Sequence, residues 1–261
     1  YNSWIEPGQN IINKFNAKLN IPYGSGERQK LDFLLPKAKG LSPVNLYFHG
    51  GFWMSRSKSD QTFIAKPFVE AGAAFGLIEY NLMPNTRIAD IVEECRAAVF
   101  WVSQNAEQFN IDPNRIFVSG HSAGGHLAAM VAATDWAGSG GVENLIKGVC
   151  AISGIYDLKP IKASYIQETL CFTDSEVLEY SPVLFDIVPR MPVIIGVGNN
   201  ESHEFYRQSK DMVDAWNFKG AQCKLVVIPK CNHFTVLSHL AEPKSLLAKA
   251  VLAQMGLSEM G

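Results

Sequence analysis

The sequence is that of an α/β protein: a mainly parallel central sheet flanked by helices, with a small cap insertion. Three observations carry that expectation. Short apolar runs of strand type alternate with segments of helical periodicity along most of the chain. The stretch Arg115 to Thr134, RIFVSGHSAGGHLAAMVAAT, reads as strand, sharp turn and helix without a break. The totals supply the core, because 261 residues that are 47% hydrophobic and 18% charged suit one large globular unit. A single domain over residues 1–261 is expected, with 154–190 as a cap or pocket-wall insertion.

In chain order, Pro7 and Gly8 precede Ile11, Ile12, Phe15 and Leu19, which follow no clear period, so no element is assigned there. Asn20 to Tyr23 and Gln29 to Pro36 flank Gly24-Ser-Gly26 and read as a strand pair joined by a Gly-rich turn. Pro43 to Phe48 is a strand that delivers His49-Gly-Gly-Phe-Trp53, and Ala73 to Tyr80 is another. Ile88, Ile91, Val92, Cys95, Ala98, Val99 and Val102 recur at spacings of three and four, as on one face of a helix. Asn110-Ile-Asp-Pro113 stops that helix before the strand Arg115 to Ser119 and the helix from Ala123 to Thr134. Ile146 to Ser153 is a further strand. Residues 154–190 then break the rhythm, with Tyr156, Tyr165, Phe172, Tyr180 and Phe185 among prolines and charges. An insertion of that type between sheet strands is expected to wall a pocket. A strand over Met191 to Val197, a helix over Glu204 to Trp216, a strand over Cys223 to Ile228 and a helix over Pro243 to Met255 close the chain. Such alternation implies a sheet covered on both faces.

A net charge of −2 offers neither a basic field for nucleic acid nor a polybasic patch for membranes. No run of about 18 apolar residues is present, so no membrane span is expected. The five cysteines are scattered and odd in number, which suits reduced thiols in a cytoplasmic protein rather than a disulfide framework. No signal peptide is visible, and because residue 1 is Tyr rather than Met the natural start is expected upstream. The six histidines show no H-E-x-x-H or similar spacing, so neither a metal nor a cofactor is expected. The expected partner is a small-molecule substrate, with no nucleic acid and no membrane, and a homodimer is left open.

Gly120-His-Ser-Ala-Gly124 fits G-x-S-x-G between a strand and a helix, the context of a nucleophile elbow. Ser122 is the candidate nucleophile. A serine hydroxyl needs a base to take its proton and a carboxylate to orient that base. In chain order the partners of such an elbow are Ser, acid, His, each on a loop after a strand. His233 lies in the loop after the last strand and is the candidate base; His239 is the rival, nearer the final helix. Glu201 lies in the loop after Met191 to Val197 and is the candidate acid, with Asp157 as the fallback. Backbone N–H groups of Gly50, Gly51 and Ala123 are the candidate oxyanion hole, the first two on an H-G-G loop at a strand end.

The motifs resemble those of the α/β-hydrolases, within them the hormone-sensitive-lipase-like branch, and within that the kynurenine formamidase (arylformamidase) group. His49-Gly-Gly-Phe-Trp53 followed by Ser57-Lys-Ser-Asp60 is similar to that group's H-G-G-aromatic-Trp loop. Gly120 to Ala129 is similar to its elbow, and Glu201-Ser-His-Glu-Phe205 with Asn232-His-Phe234 to its acid and histidine segments. The match runs over most of the chain from about Leu31 onward. It departs at Glu201, where Asp is usual, and at Gly125, which is Ala in some relatives. The resemblance implies the α/β-hydrolase fold and Ser122, Glu201 and His233 as the triad. It further implies hydrolysis of the formamide of N-formyl-L-kynurenine to L-kynurenine and formate, a step of tryptophan catabolism. Phe52 and Trp53 would then pack against the substrate ring, with simple core packing as the alternative.

A carboxylesterase acting on short-chain or aryl esters, or on carbamates, uses the same machinery and is the runner-up. A non-catalytic ligand-binding relative is a third reading, opposed by the complete set of Ser122, His233 and an acid. A thiol enzyme built on Cys231 lacks an elbow around that cysteine.

Overall fold

The computed structural model describes residues 2–37, 40–138, 142–186 and 188–257. The expected domain limits at residues 1 and 261, and Ile187 inside the expected insertion, lie outside the described residues. Eight strands form one sheet: β1 Asn16–Pro22, β2 Lys30–Leu35, β3 Ser42–Phe48, β4 Ala74–Ile78, β5 Ile111–His121, β6 Ile146–Ile152, β7 Val193–Gly198 and β8 Cys223–Ile228. Their spatial order is β1-β2-β4-β3-β5-β6-β7-β8. β1–β2 and β2–β4 are antiparallel, and every later neighbour pair is parallel.

The longer helices are α1 Asn2–Lys14, α2 Ile88–Asn105, α3 Ala123–Ala132, α4 His203–Phe218, α5 Thr235–Leu240 and α6 Leu246–Gln254. Among the described residues no helix is long and apolar enough to cross a membrane. β3 is buried along its whole length, as expected of a central parallel strand with helices on both faces. Its one polar residue inside the apolar run, Asn45, donates from Nδ2 to Ser119 Oγ on β5 at 2.9 Å, so this buried amide donor is paired. α3 is buried on every side. Its Ala- and Gly-rich sequence lets it lie close to the sheet. At Gly124 a side chain would run into the carbonyls of Phe48 and His49, so only glycine permits that approach.

The structure differs from expectation in four places. The N-terminal stretch without a clear period is the helix α1. Among its described side chains Gly8 and Ile11 are buried, and Pro7-Gly8 inside it looks like a turn, which masks the helix in the sequence. Lys58–Ala65 is a 3₁₀ segment and Lys66–Glu70 a short helix, where no element was expected. The strand expected to begin at Ile146 is present, whereas the turn region of His239 is the helix α5. The elbow helix ends at Ala132 rather than Thr134, whose hydroxyl bonds back to Met130 O at 3.0 Å.

Residues 154–190 hold short helices at Lys159–Lys162, Gln167–Leu170 and Asp174–Glu179 and a 3₁₀ turn at Pro182–Leu184. Tyr156 and Phe172 are buried here, while Tyr165 stands in solvent. The segment is fastened to the body of the fold by Trp216 Nε1 donating to Pro182 O at 2.9 Å and by the Arg87–Glu176 ion pair.

Candidate active site

The elbow places Ser122 between β5 and α3 with φ +57° and ψ −121°, a conformation that L-residues avoid. Local bonds hold it there: Ser122 N donates to Ile152 O at 2.9 Å, and His126 N donates to Ser122 O at 3.1 Å. Strain of this kind persists only where surroundings over-determine it.

The three residues expected to act together meet. His233 Nε2 lies 3.1 Å from Ser122 Oγ, and His233 Nδ1 lies 2.8 Å from Glu201 Oε2. Glu201 can only accept when ionised, so the proton sits on Nδ1 and the Nε2 lone pair faces the serine hydroxyl. The Glu201 side chain is fully buried, and its other oxygen accepts from Gly198 N at 2.7 Å and Ser153 Oγ at 2.5 Å. Burial of a carboxylate is tolerated when its lone pairs are filled in this way. Phe205 stacks on the His233 ring at 4.1 Å and fixes its plane. The His121 ring also packs against it, tilted, with ring centroids 4.5 Å apart. Burial, with His233 beside it, pushes the His121 imidazole well below its ordinary range, so it stays neutral.

The rivals lie elsewhere. Asp157 is engaged by Lys159 N at 3.0 Å and by Arg207 at 3.7 Å. His239 lies on α5, and burial lowers its pKa.

The H-G-G loop reaches the nucleophile from β3. A Cβ on Gly50 would come within 2.9 Å of His121 O and 3.2 Å of Ser122 Cβ, which is why glycine stands there. The loop carbonyls are tied back: His49 O accepts from the Tyr80 hydroxyl at 2.6 Å, and Gly51 O accepts from Met54 N and Ser55 N, both at 3.1 Å. Gly50 and Gly51 both line the cleft beside Ser122, where the oxyanion donors are expected. Ala123, the first residue of α3, carries one of the helix-start N–H groups that the helix itself cannot pair.

A buried ion pair anchors this loop from behind. Glu79 Oε1 takes His49 Nε2 at 3.0 Å and Arg28 Nη2 at 2.5 Å, and Glu79 Oε2 takes Lys58 N at 3.2 Å. Burial would raise the Glu79 carboxyl; the His49 hydrogen bond and charge and the Arg28 guanidinium more than offset that and hold it below its usual range. The His49 ring also stacks on Tyr80 at 4.2 Å. Arg28, Glu79, Tyr80, Ser153 and Phe205 were not among the expected site residues. Phe205 stood in the motif Glu201-Ser-His-Glu-Phe205, and Tyr80 and Ser153 each closed an expected strand; Arg28 and Glu79 belonged to no motif.

The cleft at Ser122 is bordered by the Gly50-Gly51 backbone on one side and by His233 and Phe234 on the other. Phe52, Arg56 and Gln61 complete its wall. Two expectations are corrected here. Trp53 does not face a substrate: its ring is fully buried, 5.8 Å from Phe172 and 5.0 Å from His126. Its indole Nε1 donates to His126 Nδ1 at 3.2 Å, an anchorage that requires the ring to turn inward. Nor do the described residues of 154–190 line this cleft; Tyr156 and Phe172 face the core instead. Phe52 does line the cleft.

The family model BD-FAE matches residues 31–215. Kynurenine formamidase of Salmo salar is 34% identical over 249 residues, covering 92% of this chain and 82% of that protein. Kynurenine formamidase of Danio rerio is also 34% identical, over 246 residues, with the same coverage of both chains. A crystal structure described as a candidate thioesterase from Silicibacter sp. tm1040 superposes with a TM-score of 0.85 at 30% identity, covering 97% of this chain and 92% of that one.

Proposed function

We propose, from the premise that the chain belongs to the BD-FAE and kynurenine formamidase family of α/β-hydrolases, that it cleaves the formamide of N-formyl-L-kynurenine. The observation that carries the reading is the continuous chain Ser122 Oγ–His233–Glu201, with the Gly50-Gly51 loop against the same serine. In the proposed reaction Ser122 Oγ attacks the formyl carbon as His233 Nε2 takes the hydroxyl proton. The tetrahedral oxyanion rests on the N–H groups of Gly50, Gly51 and Ala123, each such donor contributing about 3 kcal/mol. Collapse breaks the C–N bond, and His233 Nε2 returns its proton to the leaving arylamine nitrogen. Water, deprotonated by His233, then attacks the formyl ester on Ser122, releasing formate and restoring the hydroxyl. Buried Glu201 keeps the imidazole in the Nδ1–H tautomer and stabilises the imidazolium that forms at each stage. A small acyl group fits the cleft, whose cavity is ≈ 90 Å³. That is well below the roughly 300 Å³ lower end for drug-sized ligands.

Five free cysteines support a cytoplasmic setting as part of this proposal. The test is hydrolysis of N-formyl-L-kynurenine beside p-nitrophenyl acetate, for the wild type and Ser122→Ala. The expected result is a much higher kcat/KM on the formamide, abolished by the substitution. Good ester turnover with little formamide cleavage would make the protein a carboxylesterase on the same scaffold and overturn the formamide reading.

A further inference from the structure

Arg56 takes no part in the relay from Ser122 to Glu201, yet it is the one Lys, Arg, Asp or Glu side chain among the described residues lining the cleft. Its backbone has φ +79°, a left-handed conformation that glycine or asparagine would adopt at lower cost. The fold holds it there with charge: Arg28 Nη2 donates to Arg56 O at 2.9 Å while pairing with Glu79 at 2.5 Å. The Arg56 stem lies over the oxyanion loop, since a Cβ on Gly51 would meet Arg56 Cγ at 2.9 Å. Gln61 lines the same wall and is 2% exposed. The Tyr47 hydroxyl occupies its Oε1 at 2.7 Å, so its NH₂ end is the one left to donate into the cleft. A guanidinium and an amide NH₂ on one wall are the donors that a carboxylate accepts from. His121, held neutral by burial, adds no competing charge. The cavity of ≈ 90 Å³ has room for a small acyl group but not for a charged acyl chain as well. In the proposed reaction the acyl group is a neutral formyl, so the anion assigned to Arg56 is one carried by the leaving group.

We propose that Arg56 and Gln61 form a carboxylate-binding subsite, so that the enzyme selects aryl amides or esters whose leaving group carries an anionic carboxylate. The inference rests on the hydrolase reading of this cleft, but its test does not require formamide cleavage. Two acetate esters are compared, that of 4-hydroxybenzoate and that of its methyl ester, which differ in the leaving-group charge. The readout is the ratio of their kcat/KM values in each variant divided by the same ratio in the wild type. Intrinsic reactivity and the fraction of active enzyme both cancel. Arg56→Gln should lower the ratio about tenfold, chiefly through KM of the anionic ester, the scale of one charge-assisted hydrogen bond. Arg56→Lys should recover part of that loss, and Gln61→Glu should lower the ratio because it sets a carboxylate on the same wall. A change of less than about threefold in Arg56→Gln overturns the subsite, as does an equal loss on both esters. If the ratios behave as described while N-formyl-L-kynurenine is not turned over, the formamide reading fails and the subsite stands.

Discussion

Ser122 is approached by two arms that are held in different ways. Glu201 and His233 come from the loops after β7 and β8, and their restraints are short: a backbone amide, one serine hydroxyl and the stacked Phe205 ring. The arm from His49 to Gln61 hangs instead on a buried cluster of charges, Arg28, Glu79 and Lys58, whose partners lie far apart in sequence. It also carries a run of left-handed residues: Gly51, Phe52, Trp53 and Arg56 all have positive φ. The difference teaches a division of labour. The first arm must exchange a proton, so it is built from groups that hydrogen-bond in a defined order. The second must present fixed N–H dipoles, so strained backbone is clamped by ion pairs whose geometry does not change during turnover.

Removing the carboxylate from the first arm should have the largest effect. Glu201→Ala is expected to lower kcat by about 10³-fold or more, since the imidazole loses the partner that sets its tautomer. Glu201→Asp should keep much of the activity, because the carboxylate survives and only its reach shortens. Steady-state kinetics on an aryl ester decide this, and a nearly wild-type Glu201→Ala would refute the role given to this arm. Next in size is the clamp of the second arm. Glu79→Gln should reduce kcat/KM by roughly 10- to 100-fold through a misplaced oxyanion loop. The acid limb of the kcat/KM–pH profile, set by the base on the other arm, should not move. A shifted limb would show that the two arms are not independent. The same substitution leaves Arg28 and His49 without their shared anion and should destabilise the fold by on the order of 2 kcal/mol in denaturant unfolding. Ser153→Ala removes one of three donors to Glu201 and should cost only a few-fold in kcat, because Gly198 N and His233 still hold the carboxylate.

The smallest effect concerns stability and pH. His126 accepts from Trp53 at Nδ1 and donates from Nε2 to Tyr180 O at 2.8 Å, so its neutral form satisfies both partners. Burial lowers its pKa to about 4, well below that of an unfolded histidine. The unfolded chain thus takes up the proton first as pH falls, and stability present above about pH 6.5 drains away down to about pH 4. His126→Gln should flatten the stability–pH slope across that window by roughly 1.4 kcal/mol per pH unit. An unchanged slope in urea unfolding would contradict the neutral, buried assignment.

The central strands were legible because a strand covered on both faces needs a mainly apolar run, and β3, β5, β6 and β7 each contain one. The elbow was legible because its two glycines, its serine and its helix are contiguous. Loop order along the chain led to Glu201 and His233. The clamp on the second arm was not legible, since Arg28 and Glu79 stand 51 residues apart and neither belongs to a motif. Trp53 misled for a related reason. Its motif places it beside Phe52, but the left-handed backbone at both residues sends one ring to the cleft and the other to the core. Helix α1 stayed hidden because Pro7-Gly8, which lies inside it, reads as a turn.

The reactivity of Ser122 is the property on which the catalytic unit turns, and a fluorophosphonate probe with the adduct mapped by mass spectrometry measures it. The wild type should be labelled at Ser122 alone, and His233→Ala and Glu201→Ala should be labelled far more slowly while remaining folded. Folded wild-type protein that takes no label, or takes it at another residue, would contradict the assignment of Ser122, His233 and Glu201 as one catalytic unit.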